Sequence, residues 1–299
     1  MTALAAALLA VCGAALGLDL SLTRVPAFTD YGGRLTGTGG TNWLLVGSDS
    51  REGLSAQQEQ RLDTGDTATA SGARTDSIML LHMPSGRGPA TLVSLPRDSL
   101  VPIHGYGENK LNAAYSFGGP TLLSRTVEET TGLHVDHYLE IGFGGFAGVV
   151  DTVGGVRVCL PEALHDPKID LDLAPGCQSL DGAHALKYMR TRAFARGDLE
   201  RVEHQRQFLA ALAAKCTSRR VLLDPLQSVP MVLRLSGGLT VSDHDHLDDL
   251  LRLGAALTSG LVTTTVPVGG SRNLPGVGAA LLWNQEQAAQ LFAGLRTGG

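Results

Sequence analysis

Beyond residue 41, short apolar runs alternate with longer stretches in which apolar positions recur at helical spacing. The short runs have the length and the flanking polar residues that are typical of buried strands. They lie at residues 42–46, 77–83, 90–95, 137–141, 156–160 and 261–268. Helical spacing occurs at residues 119–131, 146–153, 224–235, 245–257 and 285–295. Strands and helices alternate without an internal repeat, which predicts a single three-layer αβα domain over residues 42–299 with a mixed central sheet.

The chain begins with an apolar segment. Residues 1–18 carry no charged side chain, and their length is about what a helix needs to cross a ~30 Å hydrocarbon core. We therefore predict a transmembrane anchor at residues 1–18. Residues 19–41 are rich in glycine and threonine, a composition typical of a flexible tether.

Three of the predicted strands each have an arginine and an aspartate at one end. The pairs are Asp49 with Arg51, Arg74 with Asp76, and Arg97 with Asp98. The polar residues 52–73, between the first pair and the second, are predicted to form a long loop. Charged pairs at several strand ends indicate a polar site along one edge of the sheet.

A dense arginine cluster lies between residues 185 and 208, at Arg190, Arg192, Arg196, Arg201 and Arg206. The guanidinium group is planar and can hold two oxygens at once, which suits phosphate. Arg190 and Arg192 have the spacing that places two side chains on one face of an extended segment. Asp198 is placed as the N-cap of a following helix, which carries Arg201 and Gln205 four residues apart on one side. A solvated helix with surface ion pairs is the alternative interpretation.

The overall charge restricts the class of ligand. With 24 basic and 29 acidic residues, the formal net charge is −5, so no global field attracts nucleic acid and the arginines act locally. The sequence contains no GxSxG, HExxH or Walker A motif. Converging arginines need an anion and converging aspartates need a cation, and a pyrophosphate with Mg²⁺ meets both needs. Internal salt bridges at the sheet ends are the alternative.

Two motifs are better explained by structure than by chemistry. Residues 142–147 (GFGGFA) match a dinucleotide-binding fingerprint, but no earlier βαβ unit surrounds them, which favours a plain turn from strand to helix. Residues 243–246 (DHDH) resemble a metal-binding set. Because they precede a predicted helix, we interpret Ser242 and Asp243 as capping residues.

Taken together, several segments closely resemble the LytR-CpsA-Psr family of bacterial cell-envelope enzymes. They are NWLLVGSDSR, ARTDSIMLL, LVSLPRDS, KLNAAYSFGG, VDTVGGV and YMRTRAFARGDLERVEHQRQF, in this order, within residues 42–216. The resemblance implies a membrane-anchored extracytoplasmic domain that transfers a glycopolymer phosphate from a polyprenyl-pyrophosphate carrier to peptidoglycan, with Mg²⁺. The composition favours an actinobacterial source. Apolar residues at 122–127, 143–150 and 208–212 could line a lipid tunnel or form an ordinary core.

The resemblance also implies roles for individual residues. The metal-associated acids correspond to Asp49 and Asp76, and the pyrophosphate-gripping set to Arg74, Arg97, Arg190, Arg192, Arg201 and Gln205. Asp198 corresponds to the acid between the arginines, and Lys110 and Asn112 to the substrate-binding KLN segment. Either Asp76 or Asp198 could act as the base that accepts the proton of the acceptor hydroxyl.

The cysteines indicate on which side of the membrane the domain lies. Cys12 lies in the predicted anchor, and no spacing among Cys159, Cys177 and Cys216 suggests zinc. Outside the cytoplasm, Cys159 and Cys177 would close a disulfide, leaving Cys216 as a buried thiol. We therefore expect a single-pass membrane protein whose catalytic domain is extracytoplasmic.

Two other functions are compatible with the sequence. A polyprenyl-pyrophosphate pyrophosphatase would use the same charged residues with water as the acceptor. A non-catalytic regulator would bind lipid-linked intermediates at the membrane, although the complete set of arginines and aspartates disfavours it. The negative net charge disfavours DNA as its ligand.

Overall fold

A computed structural model describes residues 17–37, 39–49, 56–62, 75–86, 88–191, 193, 204, 207–208, 211–212, 214–215, 238–258 and 260–297. The chain divides into two compact units. The sheet unit comprises Leu22–Asp49, Ser71–Ile141 and Leu239–Gly299, and the hairpin unit comprises Met1–Ser21, Ser50–Ala70 and Gly142–Gly238.

The elements follow one another in this order: β1 (Thr23–Val25), β2 (Gly40–Ser48), α1 (Ala56–Leu62), β3 (Thr75–Pro84), β4 (Ala90–Leu95), β5 (Leu100–Ile103), β6 (Gly107–Lys110), α2 (Leu111–Thr131), β7 (His137–Ile141), α3 (Phe143–Thr152), β8 (Val156–Leu160), β9 (Leu164–Asp166), β10 (Leu171–Leu173), β11 (Gly176–Leu180), α4 (Gly182–Arg190), β12 (Leu239–Ser242), α5 (Leu247–Thr258), β13 (Leu261–Thr265), β14 (Val268–Leu274), β15 (Gly278–Trp283) and α6 (Gln285–Arg296).

The sheet unit contains a seven-stranded sheet with the order β1-β12-β7-β2-β3-β4-β13. Strand β2 lies at its centre, parallel to β7 and antiparallel to β3. The pairs β1/β12 and β4/β13 are parallel, whereas β7/β12 and β3/β4 are antiparallel. The predicted mixed α/β fold with a central mixed sheet is therefore confirmed.

Alternation along the central strands builds a core on each face of the sheet. In β2, Leu44 and Val46 belong to one buried cluster and Trp43 to another, as expected because successive side chains of a strand point to opposite faces. Helices α2 and α6 pack on the first face and α5 on the second, through residues that include Leu123, Phe292 and Leu253 respectively. Within this unit, the layers are helix, sheet and helix.

Most of the segment predicted to be a flexible tether, from Leu22 onwards, is part of the sheet unit. Strand β1 pairs in parallel with β12, and Ala27 is fully buried in the core on the α2 face. Arg34 forms an ion pair with the buried Glu128 of α2, with 3.0 Å between Nη2 and Oε1. A glycine- and threonine-rich composition predicted flexibility, but these three contacts anchor the segment to the sheet.

The predicted membrane anchor lies almost entirely outside the described residues, which begin at Gly17. In the described ranges, no helix is long and apolar enough to cross a bilayer.

The described part of the hairpin unit contains two antiparallel strand pairs, β8/β11 and β9/β10, with helices α1, α3 and α4. Val150, Leu180 and Phe208 belong to one of its buried clusters, and Phe143 of α3 belongs to another together with Leu62 of α1. The apolar segments that could line a lipid tunnel or form an ordinary core supply buried residues, Leu123 and Val127 in the sheet unit and Phe143, Val150 and Phe208 in the hairpin unit.

The glycines of the GFGGFA motif permit close packing. Strand β7 ends at Ile141 and α3 begins at Phe143. A Cβ atom on Gly145 would collide with the backbone of Gly238, and one on Gly182 would collide with that of Ala147. The segment is a turn from strand to helix in which glycine allows backbones to touch, in line with the structural interpretation of the motif.

Some predicted boundaries differ from the structure. Helix α1 lies within the polar segment 52–73, and the helical stretch that opens at Lys110 merges with residues 119–131 into α2. This helix is kinked at Gly118 and at Gly119, whose φ is 62°, before Pro120. The helix predicted after Asp198 is described only at residues 204, 207–208, 211–212 and 214–215, which are helical. The predicted helix at 224–235 and the thiol of Cys216 lie outside the described residues.

The predicted disulfide is present. Cys159 of β8 and Cys177 of β11 face each other across the antiparallel pair, with a Cα–Cα distance of 3.9 Å and a sequence separation of 18. A crosslink of this span lowers the entropy of the unfolded chain and stabilises the fold by about 3 kcal/mol.

Removing this crosslink should therefore be measurable. We expect the double variant Cys159→Ser/Cys177→Ser to lose about 3 kcal/mol of unfolding free energy in urea titrations. Dithiothreitol should lower the melting temperature of the wild type and leave that of the double variant unchanged. An equal response to the reductant in both proteins would contradict a stabilising role for this disulfide.

Candidate active site

Two of the predicted site acids lie at neighbouring strand ends of the sheet unit, one after the end of β2 and one at the start of β3. Asp49 comes directly after β2, and Asp76 is the second residue of β3. The register pairs Gly47 with Ser77 and Ser48 with Thr75, so the backbone of Asp76 occupies the irregularity between these two pairs. The antiparallel pairing thus places the backbones of both acids at one edge of the sheet.

Arg97 reaches the same edge from β4. Ile78 of β3 pairs with Leu95, the last residue of β4, and Arg97 follows two residues later. The N–H of Asn112 donates to the carbonyl oxygen of Arg97 over 3.0 Å. The first turn of α2 and the end of β4 are therefore joined, which brings the KLN segment to Arg97.

Two cations at this junction share one carboxylate. Lys110 Nζ lies 2.9 Å from Asp98 Oδ1, and Arg97 Nε lies 3.7 Å from Asp98 Oδ2. Two cations thus share one carboxylate, and all three side chains are partly exposed. Such pairs contribute little to stability, whereas guanidinium and ammonium donors at a strand edge suit a phosphate ligand.

Arg190 belongs to the hairpin unit. It is the last residue of α4, and its guanidinium lies over the ring of Phe143, 5.0 Å from the centroid. The Asp181 side chain caps this helix by accepting from the N–H of His184 over 2.9 Å. The capped helix and the Phe143 ring thus fix the position of Arg190, the first arginine of the cluster.

The other predicted site residues are not described. Arg74, Arg192, Asp198, Arg201 and Gln205 lie outside the described residues, as does the side chain of Asp76. Among the described residues, the structure brings together Arg97, Lys110 and Asn112, and places Asp49 and the Asp76 backbone on the same sheet edge.

A buried carboxylate near the start of α2 was missed by the sequence reasoning. Glu140 of β7 is only 5% exposed and accepts hydrogen bonds from Tyr115 over 2.8 Å and from Tyr138 over 2.7 Å. Burial and the charge of Glu140 raise the pKa of Tyr138 well above its usual value, so its hydroxyl stays protonated. The sequence signal for this group was a glutamate inside the apolar run HYLEI, because a buried acid needs hydrogen-bonding partners.

A second group of metal-ligand types occurs at the opposite end of β7. His137, Asp245 and Asp249 lie close together, but hydrogen bonds already occupy them. Asp245 Oδ2 accepts from the N–H groups of Tyr138 and Ser242, and its Oδ1 lies 2.5 Å from His137 Nδ1. Asp249 accepts from the N–H of His246 over 3.0 Å, at the start of α5. Asp245 of the DHDH segment thus has a structural role, and so does Asp249 of α5. The predicted Ser242 also takes part, since its hydroxyl oxygen accepts from the N–H of His244 over 3.2 Å.

The His137–Asp245 contact gives stability a defined pH dependence. Burial alone would lower the pKa of His137, but the hydrogen bond and charge of Asp245 reverse this effect and the pKa is raised. A histidine with a raised pKa stabilises the fold fully below its unfolded pKa of about 6.5, and this contribution is lost as the pH rises through the folded pKa.

We therefore expect His137→Gln to lose more unfolding free energy near pH 6 than near pH 9. His82 offers a contrast, because burial lowers its pKa, so its stabilising contribution is lost as the pH falls. His82→Gln should consequently lose more at pH 9 than at pH 6. Urea titrations at the two pH values measure both differences, and a pH-independent loss for His137→Gln would contradict the assignment.

Comparisons with known proteins agree with the fold and the motifs. Residues 23–294 match the LytR_cpsA_psr family. The probable cell wall biosynthesis protein LcpB of Corynebacterium glutamicum is 48% identical over 293 residues, covering 98% of this chain and 69% of that protein. The teichoic acid transferase TagU of Oceanobacillus iheyensis is 32% identical over 234 residues, covering 75% of this chain and 66% of that protein.

A solved structure supports the same assignment. TagT bound to LI-WTA has a TM-score of 0.62 and 26% identity, and the match covers 85% of this chain and 88% of that one. The match to the family spans nearly the whole described fold, including the edge that carries Asp49, Asp76 and Arg97. The resemblance inferred from the motifs is thereby confirmed: this chain belongs to the LytR-CpsA-Psr family.

Proposed function

We propose that this chain transfers a glycopolymer phosphate from a polyprenyl-pyrophosphate carrier onto a sugar hydroxyl of peptidoglycan. The observation that carries this proposal is the shared sheet edge at which Asp49, the Asp76 backbone and Arg97 meet, with Lys110 beside them. Relatives named as a cell wall biosynthesis protein and as a teichoic acid transferase support the same class of reaction.

The reaction requires one bond to form and one to break. The acceptor hydroxyl oxygen attacks the phosphorus that bears the glycopolymer, and the bond from that phosphorus to the oxygen of polyprenyl phosphate breaks. The hydroxyl proton passes to a base, for which Asp76 and Asp198 are the candidates. Arg97 and Lys110 would balance the charge that develops on the phosphate oxygens, which is the main requirement of phosphoryl transfer.

The donor chemistry of this edge fits Mg²⁺. Asp49 and Asp76 would hold the ion through carboxylate oxygens, the hard ligands that Mg²⁺ prefers, and their backbones are on adjacent strands. The ion, when bound, supplies charge neutralisation for the pyrophosphate. Arg97 and Lys110 of the sheet unit would orient the donor, and the roles that the resemblance implies for Arg190, Arg192 and Arg201 stay predictions.

The compartment follows from the substrates. Peptidoglycan and its lipid-linked precursors are met at the outer face of the membrane, so we propose a single-pass membrane protein with an extracytoplasmic catalytic region. The Cys159–Cys177 disulfide supports this proposal, because disulfides persist in oxidising compartments.

The proposal can be tested with the full chain in detergent. It would be incubated with a radiolabelled lipid-linked oligosaccharide, Mg²⁺ and soluble peptidoglycan fragments. The expected result is label attached to the peptidoglycan fragments. Label released as a sugar phosphate, with none attached, would instead establish a pyrophosphatase. Binding of the lipid without any change in it would establish a non-catalytic regulator.

A further inference from the structure

Two exposed aromatic rings stack on each other beside the candidate active site. Tyr106 is 53% exposed and Phe117 is 42% exposed, and they are the aromatic members of the exposed large hydrophobic residues within the described part of the chain. Their centroids are 4.5 Å apart with an interplanar angle of 16°. The stack presents a flat apolar surface to solvent, which a ligand with a complementary flat face can cover.

The hairpin of β5 and β6, which carries Tyr106, is held in place by its turn and by two side-chain contacts. The turn between β5 and β6 places Tyr106 between Gly105 and Gly107, whose φ values are 81° and 71°, a region that glycine adopts without strain. His104 Nδ1 lies 2.9 Å from Arg125 Nη2 of α2. Arg272 donates to Glu108 over 3.0 Å. The ring of Tyr106 is therefore presented in a fixed position, which lowers the entropic cost of binding.

The position of the stack relates it to the candidate site. Lys110, which pairs with Asp98 beside Arg97, ends strand β6. Tyr106 lies four residues before Lys110. At the rise of an extended strand, the Cα atoms of these two residues are at most about 13 Å apart. A chain of a few sugar rings that starts at the reacting phosphate could reach the aromatic stack.

The charges around the stack favour an uncharged ring as the ligand. Arg125 pairs with Glu129 over 2.8 Å, and Arg272 pairs with Glu108, so the positive and negative charges of this rim cancel. An anionic membrane surface would call for an excess of lysine and arginine. The C–H face of a pyranose can lie on the electron-rich face of an aromatic ring, while its hydroxyls can bond to the charged rim.

We propose that the Tyr106–Phe117 stack is a sugar-binding subsite for the glycan chains that this site joins, an inference that rests on the proposed function. The sugar can come from the donor glycopolymer or from the acceptor peptidoglycan. Both sources present the same pyranose chemistry, and separate binding measurements distinguish them.

The test measures glycan binding by the full chain, without requiring transfer. The probes are a soluble tetrasaccharide of alternating N-acetylglucosamine and N-acetylmuramic acid, and the water-soluble oligosaccharide of the donor. Titration calorimetry should show Tyr106→Ala weakening binding of one of them about three- to tenfold. Tyr106→Trp, which keeps an aromatic face, should retain binding. Leu251→Ala removes an exposed apolar side chain from α5, on the other face of the sheet, and should have no effect.

Two outcomes would overturn the proposal: wild type and Tyr106→Ala bind both glycans equally, or the wild type binds neither. If equal glycan binding is accompanied by a loss of sedimentation of Tyr106→Ala with phosphatidylglycerol vesicles, the stack is a membrane contact. Failure of transfer alone would count against the proposed function and leave this subsite standing, because Tyr106-dependent binding is measured separately.

Discussion

Asp76→Asn should lower glycopolymer transfer by about a hundredfold or more, because metal-ion catalysis contributes several kcal/mol to transition-state stabilisation. Asparagine keeps the size of the side chain and removes its charge. The backbone of Asp76 lies at the irregularity between β2 and β3, directly beside the end of the strand that leads to Asp49. We therefore expect a weaker metal site in an unchanged fold.

The controls for this prediction are specific. Asp248→Asn changes an acid of α5 that is 62% exposed and forms a surface ion pair, and it should transfer at the wild-type rate. The melting temperature of Asp76→Asn should match that of the wild type within a few degrees. Full transfer by Asp76→Asn, or by the wild type in EDTA without Mg²⁺, would refute the proposed metal role.

Arg34→Ala should destabilise the sheet unit by about 3–5 kcal/mol, the cost of leaving one partner of a buried ion pair uncompensated. Glu128 is 3% exposed, and its carboxylate accepts from Arg34, from Tyr31 over 2.9 Å and from the N–H of Val135 over 2.9 Å. Loss of Arg34 removes the cation while the other groups hold the carboxylate in its buried position. Urea titration measures the loss directly.

Asp30 provides the matched control. Its carboxylate is fully exposed and lies 3.9 Å from Arg34 Nη1, so Asp30→Ala should change the unfolding free energy by less than about 0.5 kcal/mol. Adding Glu128→Gln to Arg34→Ala should recover part of the loss, since the uncompensated charge disappears. A cost below about 1 kcal/mol for Arg34→Ala would mean that residues 19–41 are the loose tether first predicted from their composition.

The sequence predicted the central strands well because they bury both faces. Strands β2, β3 and β4 are continuous apolar runs, and such runs are distinctive. Strand β1 was missed because it has three residues, and its partner β12 lies far away in the chain. The hairpins of residues 164–180 were missed for a related reason, as strands of three to five residues carry little periodic signal.

The candidate site was predictable in part. Arg97, Lys110 and Asn112 were identified by resemblance, and their contact arises because the start of α2 hydrogen-bonds to the end of β4. The Tyr115–Glu140 hydrogen bond joins residues 25 positions apart. A local sequence pattern does not show which residue of a helix will contact which residue of a strand. The roles of the charged residues stay predictions, whereas the buried Glu140 was not among the residues named from the sequence.

The structure of the product tests the central claim most directly. Phosphorus NMR and mass spectrometry of the peptidoglycan recovered after incubation with the lipid-linked donor should reveal one phosphodiester between the glycopolymer and a peptidoglycan sugar. Polyprenyl monophosphate should be released in equal amount. Peptidoglycan without phosphodiester, accompanied by free glycopolymer phosphate, would contradict the claim that this protein joins the two polymers.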